Sequence, residues 1–296
     1  KFSMIKFKNK KISKPKRILI LGSSGIISQN LQQILSQNTY KFKVVGSSKL
    51  NLKKKNAHFF LKKIIKKRDI VVFLSSEAPV KNTSTLINNL KMCKNVYDGI
   101  DPNIISQLIY ISSDAVYSDL KNKISEKSPA NPSNLHGVMH ISREKILKSK
   151  FEKKLCVLRP TMIYGKKDTH NGYGPNLFLN LASKNKDIQL FGKGEERRDH
   201  VYIDDLIDVL KECIERNAVG TINLASGNVY SFKYLASKVI KETNSKSKLV
   251  YRKRNGPMPH NGYRPFDIKL LKNKFLKIKS TNFEIGIKKY IREIKI

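Results

Sequence analysis

The chain has 296 residues, 40% of them hydrophobic, enough to bury the core of one large domain or two small ones. Its formal net charge of +36 fits either a polyanionic partner or a compositional bias toward Lys, Asn, Ile and Phe; no nucleic-acid module accompanies it, so bias is preferred and no specific nucleic-acid partner is expected. No apolar run approaches the roughly 18 residues of a membrane span, and Cys93, Cys156 and Cys213 have no metal-binding spacing, so the composition points to a cytoplasmic protein with buried thiols.

Residues 1–15 are Lys-rich without a period and read as a basic N-terminal arm. Ile18–Leu21 is apolar but too short for a signal-peptide core, and Arg17–Leu21 is a buried strand candidate. Ile26–Ser36 carries Ile27, Leu31, Ile34 and Leu35 at helical spacing. Further strands are expected at Phe42–Gly46, Asp69–Leu74, Gln107–Ser112, Leu155–Leu158 and Gly220–Ala225, and a helix at His136–Lys150. Continuously apolar strands separated by helices indicate an α/β fold, a doubly wound parallel sheet covered on both faces. Gly, Asn and Pro cluster after Gly165 and again near residues 255–265. The expected organisation is therefore a Rossmann domain over 16–165 and a smaller C-terminal region over 166–296, with about 199–226 returning to the first domain.

The turn Gly22-Ser23-Ser24-Gly25-Ile26 lies between the first strand and the first helix. There Gly22 permits a tight turn, Gly25 lets the backbone approach a pyrophosphate, and the small Ser28 allows close helix-on-strand packing. The helix N-terminus would face phosphates with unpaired N–H groups. After the second strand, where a carboxylate would grip a ribose, the sequence reads Ser47-Ser48-Lys49. Hydroxyls and an ammonium suit a ribose 2′-phosphate, so NADP is favoured over NAD as cofactor.

Several blocks in order resemble the NAD-dependent epimerase/dehydratase family of extended short-chain dehydrogenases. Gly192 and Gly194 followed by Arg198-Asp199-His200-Val201-Tyr202-Ile203-Asp204-Asp205 are similar to its Gly-x-Gly…Arg-Asp-Phe-Val-x-Val-Asp-Asp segment. Leu158-Arg159-Pro160 with Tyr164-Gly165, Asn223 with Gly227 and Ser231, and Arg264-Pro265-Phe266-Asp267 resemble further family blocks. The resemblance implies a substrate that is a nucleotide-activated sugar, used in surface polysaccharide synthesis, with Arg198, Asn176 and Arg264 on its diphosphate. A bidentate guanidinium suits that role. The resemblance also implies a homodimer, which is usual for such folds.

By the same resemblance Ser113 occupies the position of the catalytic Ser/Thr that hydrogen-bonds the sugar oxygen. Asp114 follows, where sugar dehydratases carry an Asp. The next residue is Ala115 rather than Glu, which argues against a standard 4,6-dehydratase, and Met162 stands where some epimerases place an Asn.

The largest departure lies in the family's catalytic Tyr and Lys, four residues apart on one helix. His136 and His140 stand there instead. Three readings follow. In the first, His136 moves the proton and His140 orients the ribose and its partner, since imidazole titrates near neutrality unaided. In the second, the protein is a catalytically silent binder of dinucleotide and sugar nucleotide. In the third, the pair ligates a metal with His170, His200 or His260, but the spacing matches no familiar metal signature and no metal is expected.

Overall fold

The computed structural model describes residues 3–120, 122–169, 171–278 and 280–294. In chain order the elements begin β1 (Lys6–Phe7), β2 (Arg17–Leu21), α1 (Ile26–Gln37), β3 (Phe42–Val45), α2 (Ala57–Ile64), β4 (Asp69–Phe73), α3 (Thr83–Gly99), β5 (Gln107–Ile111), α4 (Leu135–Phe151) and β6 (Leu155–Pro160). They continue β7 (Met162–Tyr164), α5 (Pro175–Ala182), β8 (Ile188–Phe191), β9 (Arg197–Tyr202), α6 (Ile203–Glu215), β10 (Ala218–Leu224), β11 (Val229–Ser231), α7 (Phe232–Glu242), β12 (Leu249–Arg252), β13 (Tyr263–Arg264), α8 (Lys269–Lys274) and α9 (Phe283–Ile294).

These elements group into two compact units: Lys1–Ser118, Glu126–Pro160 and Ile207–Asn223 form the first, and Asp119–Ser125, Thr161–Leu206 and Leu224–Ile296 the second. The first unit holds a seven-stranded sheet in the order β1-β10-β6-β5-β4-β2-β3. The run β3-β2-β4-β5-β6 is parallel throughout. Every residue of β2, β4 and β6 is buried, as a sheet covered on both faces requires. The doubly wound α/β reading thus holds. Buried Leu61 of α2, Cys93 and Val96 of α3 and Leu147 and Phe151 of α4 share one apolar core with the strands. At the start of β2 the buried Arg17 forks onto Asp69 of β4, with Nε to Oδ1 at 2.9 Å and Nη2 to Oδ2 at 2.5 Å.

The N-terminal stretch differs from the free arm expected. Lys6 and Phe7 pair antiparallel with Val219 and Ala218 as an edge strand, and Ile5 is wholly buried. In the second unit β9 pairs with β7, β11 and β13, and β8 with β12. Sequence placed residues from about 199 with the first unit, but the ladder of β9 belongs to the second, and Ile207–Asn223 is the part that joins the first. Phe178, Phe232 and Tyr173 form an aromatic cluster there, with edge-to-face and tilted rings. Among the described residues no helix is long and apolar enough to cross a membrane.

Candidate active site

The sheet order reverses at β2, which has β3 on one side and β4 on the other. Ligands of open α/β sheets bind outside the carboxyl ends of the strands at such a point. The loop Gly22–Gly25 leaves β2 there. Gly22 has φ +113°, and a Cβ on it would stand 3.0 Å from the Ser75 amide nitrogen after β4. A side chain at position 22 would therefore both strain the backbone and collide with the neighbouring loop. Its N–H donates to the Val45 carbonyl at 2.9 Å. Ser28, buried, donates its hydroxyl to the Gly22 carbonyl at 2.6 Å, the close packing expected of a small residue at that turn of α1.

Gly25 caps α1 with no side-chain hydrogen bond, and a Cβ there would meet nothing within 4 Å. The start of α1 is thus without a side-chain cap and open at Gly25, and an uncapped helix N-terminus of this kind attracts anions. Ser23 and Ser24 are exposed on the same turn. Gln32 and Gln29 hold their carbonyls, at 3.1 Å and 2.7 Å. Ser47, Ser48 and Lys49 are exposed on the turn after β3, where the Lys49 and Leu50 amides both return to the Gly46 carbonyl.

Beyond β5, Ser113 caps a short turn over Asp114–Val116, its Oγ accepting the Ala115 amide at 3.1 Å. Ser113 Oγ also lies 3.4 Å from Asp114 Oδ1. Asn134 caps α4 by accepting the Gly137 amide at 2.9 Å. The first turn of α4 then presses onto the Asp114–Val116 turn. A Cβ on Gly137 would overlap the Ala115 carbonyl oxygen and stand 2.5 Å from Pro132 Cβ. Only glycine permits that approach, and it brings His136 into the field of Asp114.

Burial pushes the His136 imidazole below its ordinary value, opposed by the Asp114 carboxylate. Its Nδ1 accepts the Val80 amide at 3.4 Å, which leaves the proton of the neutral ring on Nε2. The His140 ring meets it edge-on, with centroids 4.8 Å apart. His140 is buried, and desolvation, then His136 and Arg143, hold it well below the usual histidine range. Its Nδ1 lies 2.7 Å from Tyr110 Oη. Burial keeps Tyr110 protonated far into alkali. Sequence assigned His140 to a ribose. The structure commits its Nδ1 to Tyr110, so only Nε2 remains for any ligand.

A buried network sets the position of α4. Glu144 receives Arg159 Nε at 2.9 Å and Nη2 at 2.5 Å, and Ser112 Oγ donates to it at 2.5 Å. Arg159 Nη1 reaches Tyr117 Oη at 2.8 Å, and that hydroxyl donates to Asn223 at 2.7 Å. Arg143, also buried, donates to the carbonyls of Asn89 and Ser75 and to the Asn89 side chain. Neither network was foreseen. Glu144 sits two turns beyond His136 on the same helix, and that spacing was the available signal.

In the second unit Arg264, buried, donates to Asp119 at 2.7 Å, with His260 Nδ1 3.0 Å from its guanidinium. His260 also bonds Asp119. Burial and then the charges of Arg198 and Arg264 lower the His260 pKa, against the pull of Asp119. Arg198 lies near enough to take part in that field, and bonds Glu196 at 3.2 Å. Two of the three expected anion-binding residues, Arg198 and Arg264, therefore gather around His260. Asn176 stands apart: its side chain accepts the Gly165 amide at 3.0 Å and donates to the Ile163 carbonyl at 3.4 Å. Asp119 and His260 were not foreseen as members of this cluster, because no motif marks either. Asp204 and Asp205 open α6, where Asp205 holds Thr281 by its amide and hydroxyl.

Among the described residues no group of three His, Cys, Asp or Glu could hold a metal. His200 lies on β9 with Nδ1 3.2 Å from the Arg198 carbonyl, His260 is engaged with Asp119, and His170 lies outside the described residues. Among the described residues the histidine pair therefore has no third ligand for a metal.

A doubly wound α/β protein with a glycine turn at the switch point and a serine at the end of the fourth parallel strand belongs to the class of Rossmann-type short-chain dehydrogenases. The model of the NAD dependent epimerase/dehydratase family matches residues 18–225, and the chain belongs to that family. It is 26% identical over 274 residues to dTDP-D-glucose 4,6-dehydratase of Dictyostelium discoideum, covering 76% of this chain and 61% of that protein. It is 25% identical over 225 residues to the N-acetyl-alpha-D-glucosaminyl-diphospho-ditrans,octacis-undecaprenol 4-epimerase of Escherichia coli O157:H7, covering 69% of this chain and 64% of that one. The chain thus spans less than two thirds of the length of these two relatives. Among solved structures, a GDP-L-fucose synthetase from Naegleria fowleri bound to NADP superposes with TM-score 0.81 at 16% identity, over 98% of this chain and 96% of that chain. UDP-glucuronic acid 4-epimerase from Bacillus cereus in complex with UDP-glucuronic acid and NAD does so with TM-score 0.77 at 20% identity, over 94% and 99%.

Proposed function

We propose that the protein converts a diphosphate-linked sugar, nucleotide-activated in the first instance, using NAD or NADP. The observation that supports this reading is the glycine approach at Gly137, which brings the first turn of α4 onto the Asp114–Val116 turn and His136 into the field of Asp114. The open space at Gly25 and the uncapped start of α1 fit the phosphates of a dinucleotide. Gly22, Ser23, Ser24, Gly25 and Ile26 would hold them. Ser47, Ser48 and Lys49, with no carboxylate among them, favour a 2′-phosphate and so NADP. When bound, such a cofactor supplies reversible hydride exchange at a sugar carbon.

The chain's own groups would do the rest. Ser113 would hydrogen-bond the reacting oxygen. As the hydride leaves the sugar carbon, the hydroxyl proton would pass to His136, neutral at pH 7, whose ring would turn from the Val80 amide to offer it a lone pair. Asp114 would stabilise the imidazolium form or assist departure of a hydroxyl. His140, braced by Tyr110, would direct Nε2 toward the cofactor. Arg198 and Arg264 would grip the diphosphate, with Asn176 shaping the loop behind them.

A second reading has its own support. The Val80 amide occupies the lone pair that His136 needs to act as a base, and His140 spends Nδ1 on a buried phenol. Both features suit a silent binder of the same ligands. Mixing the protein with NAD or NADP and a panel of UDP-, GDP-, dTDP- and polyprenyl-diphosphate-linked sugars, with products followed by mass and NMR, separates the two. Turnover supports the enzyme. Binding without turnover, together with activity created by His136→Tyr plus His140→Lys, supports the silent binder. Absence of binding to every member of the panel refutes both.

A further inference from the structure

Residues 53 to 68 span α2 and its flanks. Eight of these sixteen residues are Lys or Arg and none is Asp or Glu, whereas Lys and Arg number 59 in all 296 residues. α2 is anchored by Ala57 and Leu61, both buried, the latter against Gly99 of α3. The opposite side of the helix carries Phe59 and Phe60, 53% and 63% exposed. They are the one adjacent pair among the large exposed apolar side chains of the described residues. Lys62 and Lys63 lie over their rings at 5.9 Å each, and Lys66 and Lys67 follow, both exposed. Three acids are already engaged: Asp69 with Arg17, Asp98 with Lys94 and Glu77 with Lys53.

Two exposed phenyl rings beside the exposed ammonium groups of Lys62, Lys63, Lys66 and Lys67 are poorly placed for water. They are well placed for the boundary of an anionic bilayer, where rings enter the acyl region and lysines remain among the headgroup phosphates. We propose that α2 and its flanks form a peripheral docking surface for an anionic phospholipid membrane. Association of this kind needs no membrane-spanning segment. It brings the protein to the surface where lipid-borne material lies. The proposal does not depend on the catalytic competence of the histidine pair.

The chain contains no Trp, so one introduced indole reports on this face alone. Full-length protein is mixed with vesicles of phosphatidylcholine alone or of phosphatidylcholine with phosphatidylglycerol. The expected result is co-sedimentation with the anionic vesicles only, weakening as salt rises. Phe60→Trp should show a blue-shifted emission on those vesicles. The charge-neutral double change Phe59→Ser, Phe60→Ser should lower the partition coefficient about tenfold or more, with its thermal melt showing that it is folded. Undiminished vesicle binding by a folded double variant would overturn the proposal, as would an unshifted indole. An equal blue shift on single-stranded RNA, with none on vesicles, would assign the face to nucleic acid and overturn it too.

Discussion

Replacing Gly137 by Ala places one methyl group where the helix and the Asp114–Val116 turn already touch. The methyl would overlap the Ala115 carbonyl oxygen, and would stand 2.5 Å from Pro132 Cβ and 2.9 Å from the Ala115 carbonyl carbon. Carbon atoms rest about 3.5–4.0 Å apart, so the start of α4 must retreat by roughly 1 Å. Overpacking of this kind costs about 1–3 kcal/mol. Alanine's better helix propensity returns up to about 1 kcal/mol. A net loss of about 1–2 kcal/mol lowers the melting temperature by about 2–3 °C in a chain of this size. The retreat also carries His136 away from Asp114 and stretches the Val80 contact, which is already 3.4 Å long. The imidazole pKa should then rise toward the ordinary value, because retreat admits water and relieves the burial that depresses it. Thermal melts by circular dichroism and the His136 Cε1 proton shift against pH read both effects. Propensity alone predicts a melting temperature that rises. Such a rise, or an unshifted His136 titration, would refute the claim that this contact sets the site.

Glu144→Gln leaves the buried Arg159 guanidinium without its carboxylate and should cost about 3–5 kcal/mol in urea unfolding. Adding Arg159→Met should recover a large part of that loss, a non-additivity expected of directly bonded partners. Stability should also depend on acid. The folded pKa of His140 lies well below 6.5, so below about 6.5 the unfolded chain binds the extra proton; stability is complete above that pH and falls by up to about 1.4 kcal/mol per pH unit beneath it. His136 acts in the same sense. Asp199, whose burial raises its pKa to about 6, acts in the opposite sense, because the folded form gains its proton first as pH falls. Comparing wild type with His140→Phe by urea melts at pH 7 and pH 5.5 isolates the histidine: the variant should lose about 1 kcal/mol less. Equal losses would remove His140 as the source. Asp119→Asn removes the carboxylate that competes for Arg264 and His260, and should tighten inorganic pyrophosphate binding several-fold, up to about tenfold, by calorimetry. Weaker binding would show that Asp119 organises the cluster and does not block it.

The parallel sheet was legible because its strands are unbroken apolar runs. Arg17–Leu21 and Asp69–Phe73 are buried at every position, and two-sided burial writes itself directly into composition. The start of α1 was legible from two glycines, and α4 from the spacing of its apolar residues. β1 was hidden because Lys6 and Phe7 owe their extended form to Val219 and Ala218, more than 200 residues away, and to no local propensity. The region from about 199 was placed with the first unit for a related reason: nothing in the polar run Arg197–Tyr202 states which strands it pairs with. At the site, residue identities carried the positions of Ser113, Asp114 and the two histidines. They did not carry the Val80 amide on His136, the phenol on His140 or the Asp119–His260–Arg264 cluster. Those contacts join segments whose approach is decided by tertiary packing, and the Lys-rich background conceals which cations are committed.

The account rests on the cradle at Gly22–Gly25 receiving a pyridine dinucleotide. Isothermal titration calorimetry of the full chain with NADP and with NAD tests it most directly. The expected result is saturable one-to-one binding, tighter for NADP, with the preference lost in Lys49→Ala. Titrations of both dinucleotides that release no heat beyond dilution, repeated at two temperatures, would contradict it.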